Sequence, residues 1–222
     1  MNGIWILLLS TIIAALPAII AFFLLRSRKS ALTLPWFLAS LAAGIISFIA
    51  AAFIQNFFTT GRQSGFWPLF INIFIRIALV EESSRLLGII PLWKTGKNSR
   101  LADSSIGAAM GLAAGLGFAL IESAYHGIAD LNIALLRLVT AAPLHGACGI
   151  RVGTAIFVAR RDPLKTAILF VSSVLIHGAY NLIIINPVIP SILAIPAALL
   201  ALFVSLNYLM TKNADDKNPN LS

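Results

Sequence analysis

Residues 3–25 read GIWILLLSTIIAALPAIIAFFLL, 23 positions without one charge. An α-helix rises about 1.5 Å per residue, so roughly 20 apolar residues cross the ~30 Å hydrocarbon core of a bilayer. The run is therefore read as a membrane span. It has no basic lead-in and is too long for the apolar part of a signal segment, so it is expected to stay in the protein. Six further runs follow: Thr33–Ile54, Phe66–Trp93, Ala102–Tyr125, Leu131–Ala159, Leu164–Ile185 and Val188–Met210. The expected fold is an all-α, polytopic membrane helix bundle of about seven transmembrane helices. Short loops make it one domain over residues 1–211, with a core of interest at about 66–186. Residues 212–222 form a short polar tail.

Composition agrees. Of 222 residues, 59% are hydrophobic and 11% charged, against ~25% charged in soluble domains. A disordered chain cannot be this apolar. The apolar runs are also too long for the core helices of a water-soluble globule. The single cysteine, Cys148, excludes an internal disulfide. Tryptophans 5, 36, 67 and 93 lie near span ends, as in an interfacial belt.

The net charge of +8 would suit a nucleic-acid binder, but its placement says otherwise. Arg26, Arg28 and Lys29 follow the first span; Lys94, Lys97 and Arg100 the third. Arg160, Arg161 and Lys165 follow the fifth, and Lys212 and Lys217 the seventh. Eleven basic residues thus share one side and Arg62 stands alone on the other. By the positive-inside rule the N-terminus is outside and the C-terminus cytoplasmic. The partner this charge implies is the lipid bilayer, and no nucleic acid is expected.

Charges inside the spans ask for a separate reason, because each costs roughly 2.5–3.5 kcal/mol at mid-bilayer. The third span carries Glu81, Glu82 and Arg85. Arg85 lies one helical turn from both carboxylates and can offset part of their repulsion. The plain reading is a structural ion pair, for which a second carboxylate is superfluous. The fourth span repeats Gly107, Gly111 and Gly115 along one stripe, which lets another helix come close. It then carries Glu122, ~12 Å toward the outside of its midpoint. A carboxylate there can snorkel to the interface, where His126 is also expected. Mid-span in the fifth is His145, with Pro143 just before it and Gly149 and Gly153 continuing its face. The sixth carries His177 and Asn181, one turn apart. Glu81, His145 and His177 each fall near their span's midpoint, so three helices bring a carboxylate and two imidazoles to one depth. Arg137 and Arg151, nearer span ends, are expected to snorkel, Cys148 to pack, and Arg76 has no evident role.

A carboxylate beside an imidazole can hold a water and take its proton. A second imidazole, with a carboxamide one turn away, can stabilise a developing oxyanion. That is the equipment of amide hydrolysis without a covalent intermediate. Two histidines and a glutamate also suit zinc; Glu81, His145 and His177 would be the ligands. Their spacing across helices leaves a metal-free and a zinc-dependent site both open. No Gly-x-Ser-x-Gly or His-Glu-x-x-His is present. Midplane Glu and His would also serve an ion- or proton-coupled transporter, but no half-to-half repeat is evident. Haem ligation by the two histidines would leave the glutamates unexplained.

Glu81-Glu82-x-x-Arg85, Gly117-Phe118-Ala119-x-x-Glu122, His145 and His177-x-x-x-Asn181, in that order on successive spans, resemble the PrsW family of intramembrane proteases. That family is distantly similar to the CAAX-prenyl-endopeptidase and bacteriocin-processing superfamily. The resemblance covers Val80 to Asn181. It implies that Glu81 activates water, that His145 is its partner, and that His177 and Asn181 stabilise the oxyanion. Glu82 and Glu122 match acidic positions whose roles it does not separate. Many relatives carry Lys where Arg85 stands, and the wider superfamily often has an aromatic residue at the position of Ala141. The resemblance implies a single-span membrane-protein substrate, an anti-sigma factor among the candidates, cut from the extracytoplasmic side. It also implies a bacterial or archaeal plasma membrane.

Overall fold

The computed structural model describes residues 3–28, 32–58, 65–96 and 103–210, and every regular element among them is helical. Lys29, Arg62, Lys97, Arg100, Lys212 and Lys217, part of the orientation argument, lie outside the described residues, as does the tail 212–222.

The expected first, second, fourth and sixth spans are α1 (Gly3–Arg28), α2 (Leu34–Gln55), α5 (Ser104–Gly127) and α8 (Pro163–Ile185). The seventh is a 3-10 turn, Ser191–Leu193, leading into α9 (Ala194–Met210). The third is one run of three parts: α3 (Phe66–Phe70), a π-helical segment Ile71–Leu79, and α4 (Val80–Gly96). Asp103, Asp130 and Asp162 cap the starts of three helices by accepting backbone N–H bonds from Ser105, Asn132 and Lys165.

The fifth span departs from expectation. It is two helices, α6 (Leu131–Val139) and α7 (Ala141–Val158), broken at Thr140. Pro143 is the cause. It has no N–H to donate to the Val139 carbonyl, and its ring crowds that group. The ladder restarts at the next residue, where the Leu144 N–H donates to the Thr140 carbonyl at 3.1 Å. His145 therefore sits near the start of an 18-residue helix and not at mid-span.

Among the described residues, six helices are long and apolar enough to cross a membrane: Ile4–Ser27, Leu34–Gln55, Ser104–Gly127, Ala141–Val158, Pro163–Ile185 and Ser191–Met210. The run Phe66–Gly96 is divided by its π-helical segment and carries the charges. Burial sorts these helices: 94% of the α7 span is buried, but only 22% of the α1 span. Helices α5 and α7 form the centre; α1, α2, α8 and α9 turn large apolar side chains outward, as lipid-facing helices do.

The small-residue stripes allow that centre. A Cβ on Gly111 would overlap the Gly149 carbonyl, and one on Gly115 the His145 carbonyl. On α7, a Cβ at Gly153 would overlap the Gly107 carbonyl. The two backbones touch, and that contact fixes His145 and Glu122 relative to each other.

Candidate active site

Four helices converge. Helix α4 supplies Glu81, Glu82 and Arg85; α5, Phe118 and Glu122; α7, His145; and α8, Ser173 and His177. Glu82 and Arg85 are wholly buried, and both histidines are 2% exposed. Such burial of charge in an apolar bundle is tolerable only with a full set of partners.

His177 lies between the two adjacent glutamates. Its Nδ1 is 2.7 Å from Glu82 Oε1. Glu82 Oε2 accepts from Ser173 Oγ at 2.8 Å and pairs with Arg85. Both oxygens of Glu82 are thus committed. Glu81 differs. Its Oε1 accepts from Gln55 Nε2 at 3.1 Å, while its buried Oε2 has no hydrogen-bond partner among the described residues. That oxygen faces His177 Nε2 at 3.5 Å. The ionised carboxylate of Glu82 can only accept, so the proton on His177 Nδ1 is fixed there. Glu81 Oε2 and the Nε2 of a neutral His177 then present lone pairs to one small space. A proton shared between them, a water that donates to both, or a cation satisfies both.

The second imidazole has its own carboxylate. Arg85 Nη2 lies 3.0 Å from His145 Nδ1. A guanidinium only donates, so Nδ1 accepts and the ring proton sits on Nε2. That N–H donates to Glu122 Oε2 at 2.7 Å. Glu122 is paired from its other side with Arg137 of α6, whose Nε donates to Ser123 Oγ at 3.1 Å. The two imidazoles meet edge to face, centroids 5.0 Å apart. Phe118 packs on His145 at 4.9 Å, and the Arg85 guanidinium lies 4.7 Å from its ring centroid. Phe118 thereby walls one side against water.

These contacts regroup the expected residues. Glu81 faces His177 and His145 pairs with Glu122, whereas the resemblance joined Glu81 to His145. Glu122 turns inward and does not snorkel; Arg137 does the same, to reach it. Arg151 is buried too, donating to Ser205 Oγ at 3.0 Å and Ser172 Oγ at 2.8 Å. Arg85 hydrogen-bonds Glu82 and His145 and not Glu81. Asn181 is half-buried one turn from His177, with no side-chain hydrogen bond among the described residues. His126 is about half exposed, 4.0 Å from Glu122, in keeping with an interfacial place. Cys148 is fully buried, its Sγ 3.6 Å from the Ser173 carbonyl.

Gln55, Arg76, Ser173 and Arg137 were not singled out for the site from the sequence. Ser173 had a signal: it stands four residues before His177, on the face that continues to Asn181. Gln55 had a weaker one, as an amide at the end of an otherwise apolar span. Arg76 and Arg137 gave none beyond being charged, since their partners lie on other elements.

A divalent cation is one way to fill the space between Glu81 and His177. One donor atom from each of Glu81, His145 and His177 can be chosen within 4.8 Å of the others. The unpartnered Glu81 Oε2 beside His177 Nε2 fits a cation, whereas both nitrogens of His145 are engaged, by Arg85 and Glu122, and one must be released before His145 joins them. Three carboxylates here face two guanidiniums, and the third carboxylate can be balanced by a proton on Glu81 or His177 or by a cation. Glu82, Cys148 and His177 are equally close together, but both Glu82 oxygens are already engaged, one by Arg85, which would repel a metal.

Comparison with known proteins gives one match. The sequence model of the PrsW family intramembrane metalloprotease fits residues 32–209, from just before α2 to the end of α9. No curated protein and no solved structure matches the chain.

Proposed function

Starting from the PrsW family of intramembrane metalloproteases, to which this chain belongs, we propose that this multi-pass membrane protease cuts single-span membrane proteins with a water activated by Glu81 and His177. Anti-sigma factors are candidate substrates, and a bacterial or archaeal plasma membrane the candidate setting. The observation that carries this reading is the open Glu81 Oε2 standing 3.5 Å from His177 Nε2, the two groups backed by Gln55 and Glu82.

A water in that space donates one hydrogen to each. As its oxygen attacks the scissile carbonyl carbon, Glu81 takes a proton. Glu81 passes that proton to His177 Nε2; the imidazolium, held by Glu82, hydrogen-bonds the oxyanion and then gives the same proton to the leaving amine as the C–N bond breaks. Asn181, with its carboxamide uncommitted, is the second oxyanion donor. Glu122 holds His145 and lines the outer side. The family name implies a metal, and Glu81, His177 and His145 are the residues that would hold it. Bound there, zinc would supply Lewis-acid polarisation of the carbonyl and of the water. His145 would have to release Arg85 or Glu122 to join such a set.

With the N-terminus outside, the outer ends of α5, α7 and α8 lie roughly 6–12 Å from Glu122, His145 and His177, by residue count and helical rise. Substrate and water then enter from the extracytoplasmic side.

The test is cleavage of a single-span reporter by the full chain in liposomes. Glu81→Gln and His177→Ala are each expected to abolish cutting without loss of the protein from the membrane. Full activity in both variants would overturn the proposal. A chelator that stops cutting, with zinc restoring it, would place the metal in the working site.

A further inference from the structure

Gln55 and Arg76 belong to none of the sequence motifs and exchange no proton in the chemistry just described, yet Gln55 reaches Glu81 and Arg76 reaches Gln55. Gln55 is the last residue of α2, and Arg76 lies in the π-helical segment that leads into α4. The side chain of Gln55 donates to Glu81 Oε1 at 3.1 Å. Its backbone carbonyl accepts from Arg76 Nη2 at 3.2 Å. Arg76 Nη1 donates to Asn72 Oδ1 at 3.0 Å, so Arg76 is itself held within the π segment.

The consequence is geometric. The terminal torsion of a glutamate is broad and roughly two-fold, so a carboxylate with no fixed partner samples many planes. Tethering Oε1 to Gln55 removes that freedom and leaves Oε2 aimed at His177 Nε2. The surroundings indicate a built feature. A nine-residue π-helical run is rare and tends to mark functional sites. Arg76 Nε is buried without a hydrogen-bond partner among the described residues, a cost accepted while Nη2 holds the Gln55 carbonyl and Nη1 holds Asn72.

We propose that Gln55 is a positioning residue that aims the open oxygen of Glu81 at the reacting water, with Arg76 holding Gln55 in place. The proposal rests on the reading of Glu81 as the water-activating group.

The experiment uses the full chain in liposomes with a quenched-fluorescent single-span helical peptide as probe. Gln55→Leu removes the donor and leaves an apolar side chain one atom shorter. The expected result is a fall in kcat of ~10–100-fold, the usual effect of losing an outer-shell partner, with KM changed less than about twofold. Arg76→Met is expected to give a smaller fall, and the double variant no more than Gln55→Leu alone, because the two act through one tether. An independent readout is the infrared carboxylate band of Glu81, assigned by its loss in Glu81→Gln. Gln55→Leu should shift and broaden it, whether or not the probe is cut, which a purely structural role would not do. If Glu81→Gln stays active, the reading of Glu81 has failed. If Glu81→Gln is inactive while Gln55→Leu keeps both full kcat and an unaltered band, the Gln55 proposal alone is overturned.

Discussion

Arg85 is the residue on which the two halves of the site hang. One end of its guanidinium pairs with Glu82 and the other donates to His145, so it anchors the carboxylate behind His177 and fixes the tautomer of His145. Removing it leaves Glu82 as a buried charge with only Ser173 and His177 for partners. Arg85→Met is therefore expected to destabilise the protein by ~3–5 kcal/mol, as breaking a buried pair does, measured by unfolding in detergent. Arg85→Lys should retain most of that stability, because an ammonium still neutralises Glu82. It cannot also reach His145 with a planar fork, so cleavage should fall more than stability. A lysine variant as unstable as the methionine one would count against this. The same residues mark how far the sequence could be read. It gave Glu81 and Glu82 as neighbours about 100° apart on a helix, with nothing to separate them. Their difference comes from other helices: His177 and Ser173, together with Arg85, engage both oxygens of Glu82, whereas Gln55 engages one oxygen of Glu81 and leaves the other open.

Helices α5 and α7 explain how those side chains are held to such tolerances. The glycine stripe on α5 was legible as a close-packing face, and the structure puts the Gly149 and Gly153 face of α7 against it. Gly115 sits directly on the carbonyl of His145. Gly115→Ala must push the two backbones apart at the level of the site, at a cost of ~1–3 kcal/mol for overpacking. Cleavage should fall as the contact between His145 and Glu122 lengthens. Unfolding and probe cleavage measured on one preparation check both, and an alanine variant with unchanged stability would contradict the close contact. The break at Thr140 was only half legible. Pro143 announced a loosened helix, but not that α6 would swing Arg137 onto Glu122. That depends on where α6 packs, against α1 and α5, which spacing along the chain does not encode.

For the molecule as a whole, the burial pattern is that of a protein in lipid, with small residues at the centre and large apolar side chains outside. Even Arg151, away from the site, follows the rule that an intramembrane charge faces the interior: it is shared among Ser172, Ser205 and the ring of Tyr208. Orientation rests on the basic residues, and it can be tested cleanly because the sole cysteine, Cys148, is buried. Asn2→Cys is expected to react with an impermeant maleimide in intact cells, and Ser222→Cys only after permeabilisation. The reverse pattern would invert the topology and the side from which substrate enters.

The sequence settled that this chain lives in a bilayer, because runs of some 20 uncharged residues have no other stable home. Its basic loops argue for an orientation, and its few intramembrane charges, with two histidines and an asparagine, name the participants. All of these follow from composition and spacing along single helices. Which participants face each other was decided only in three dimensions. Hydrogen bonds between helices depend on the depth and rotation of each one. Those were set by the glycine contacts of α5 with α7, by the restart of α7 after Pro143, and by the clamp of Arg76 on the end of α2.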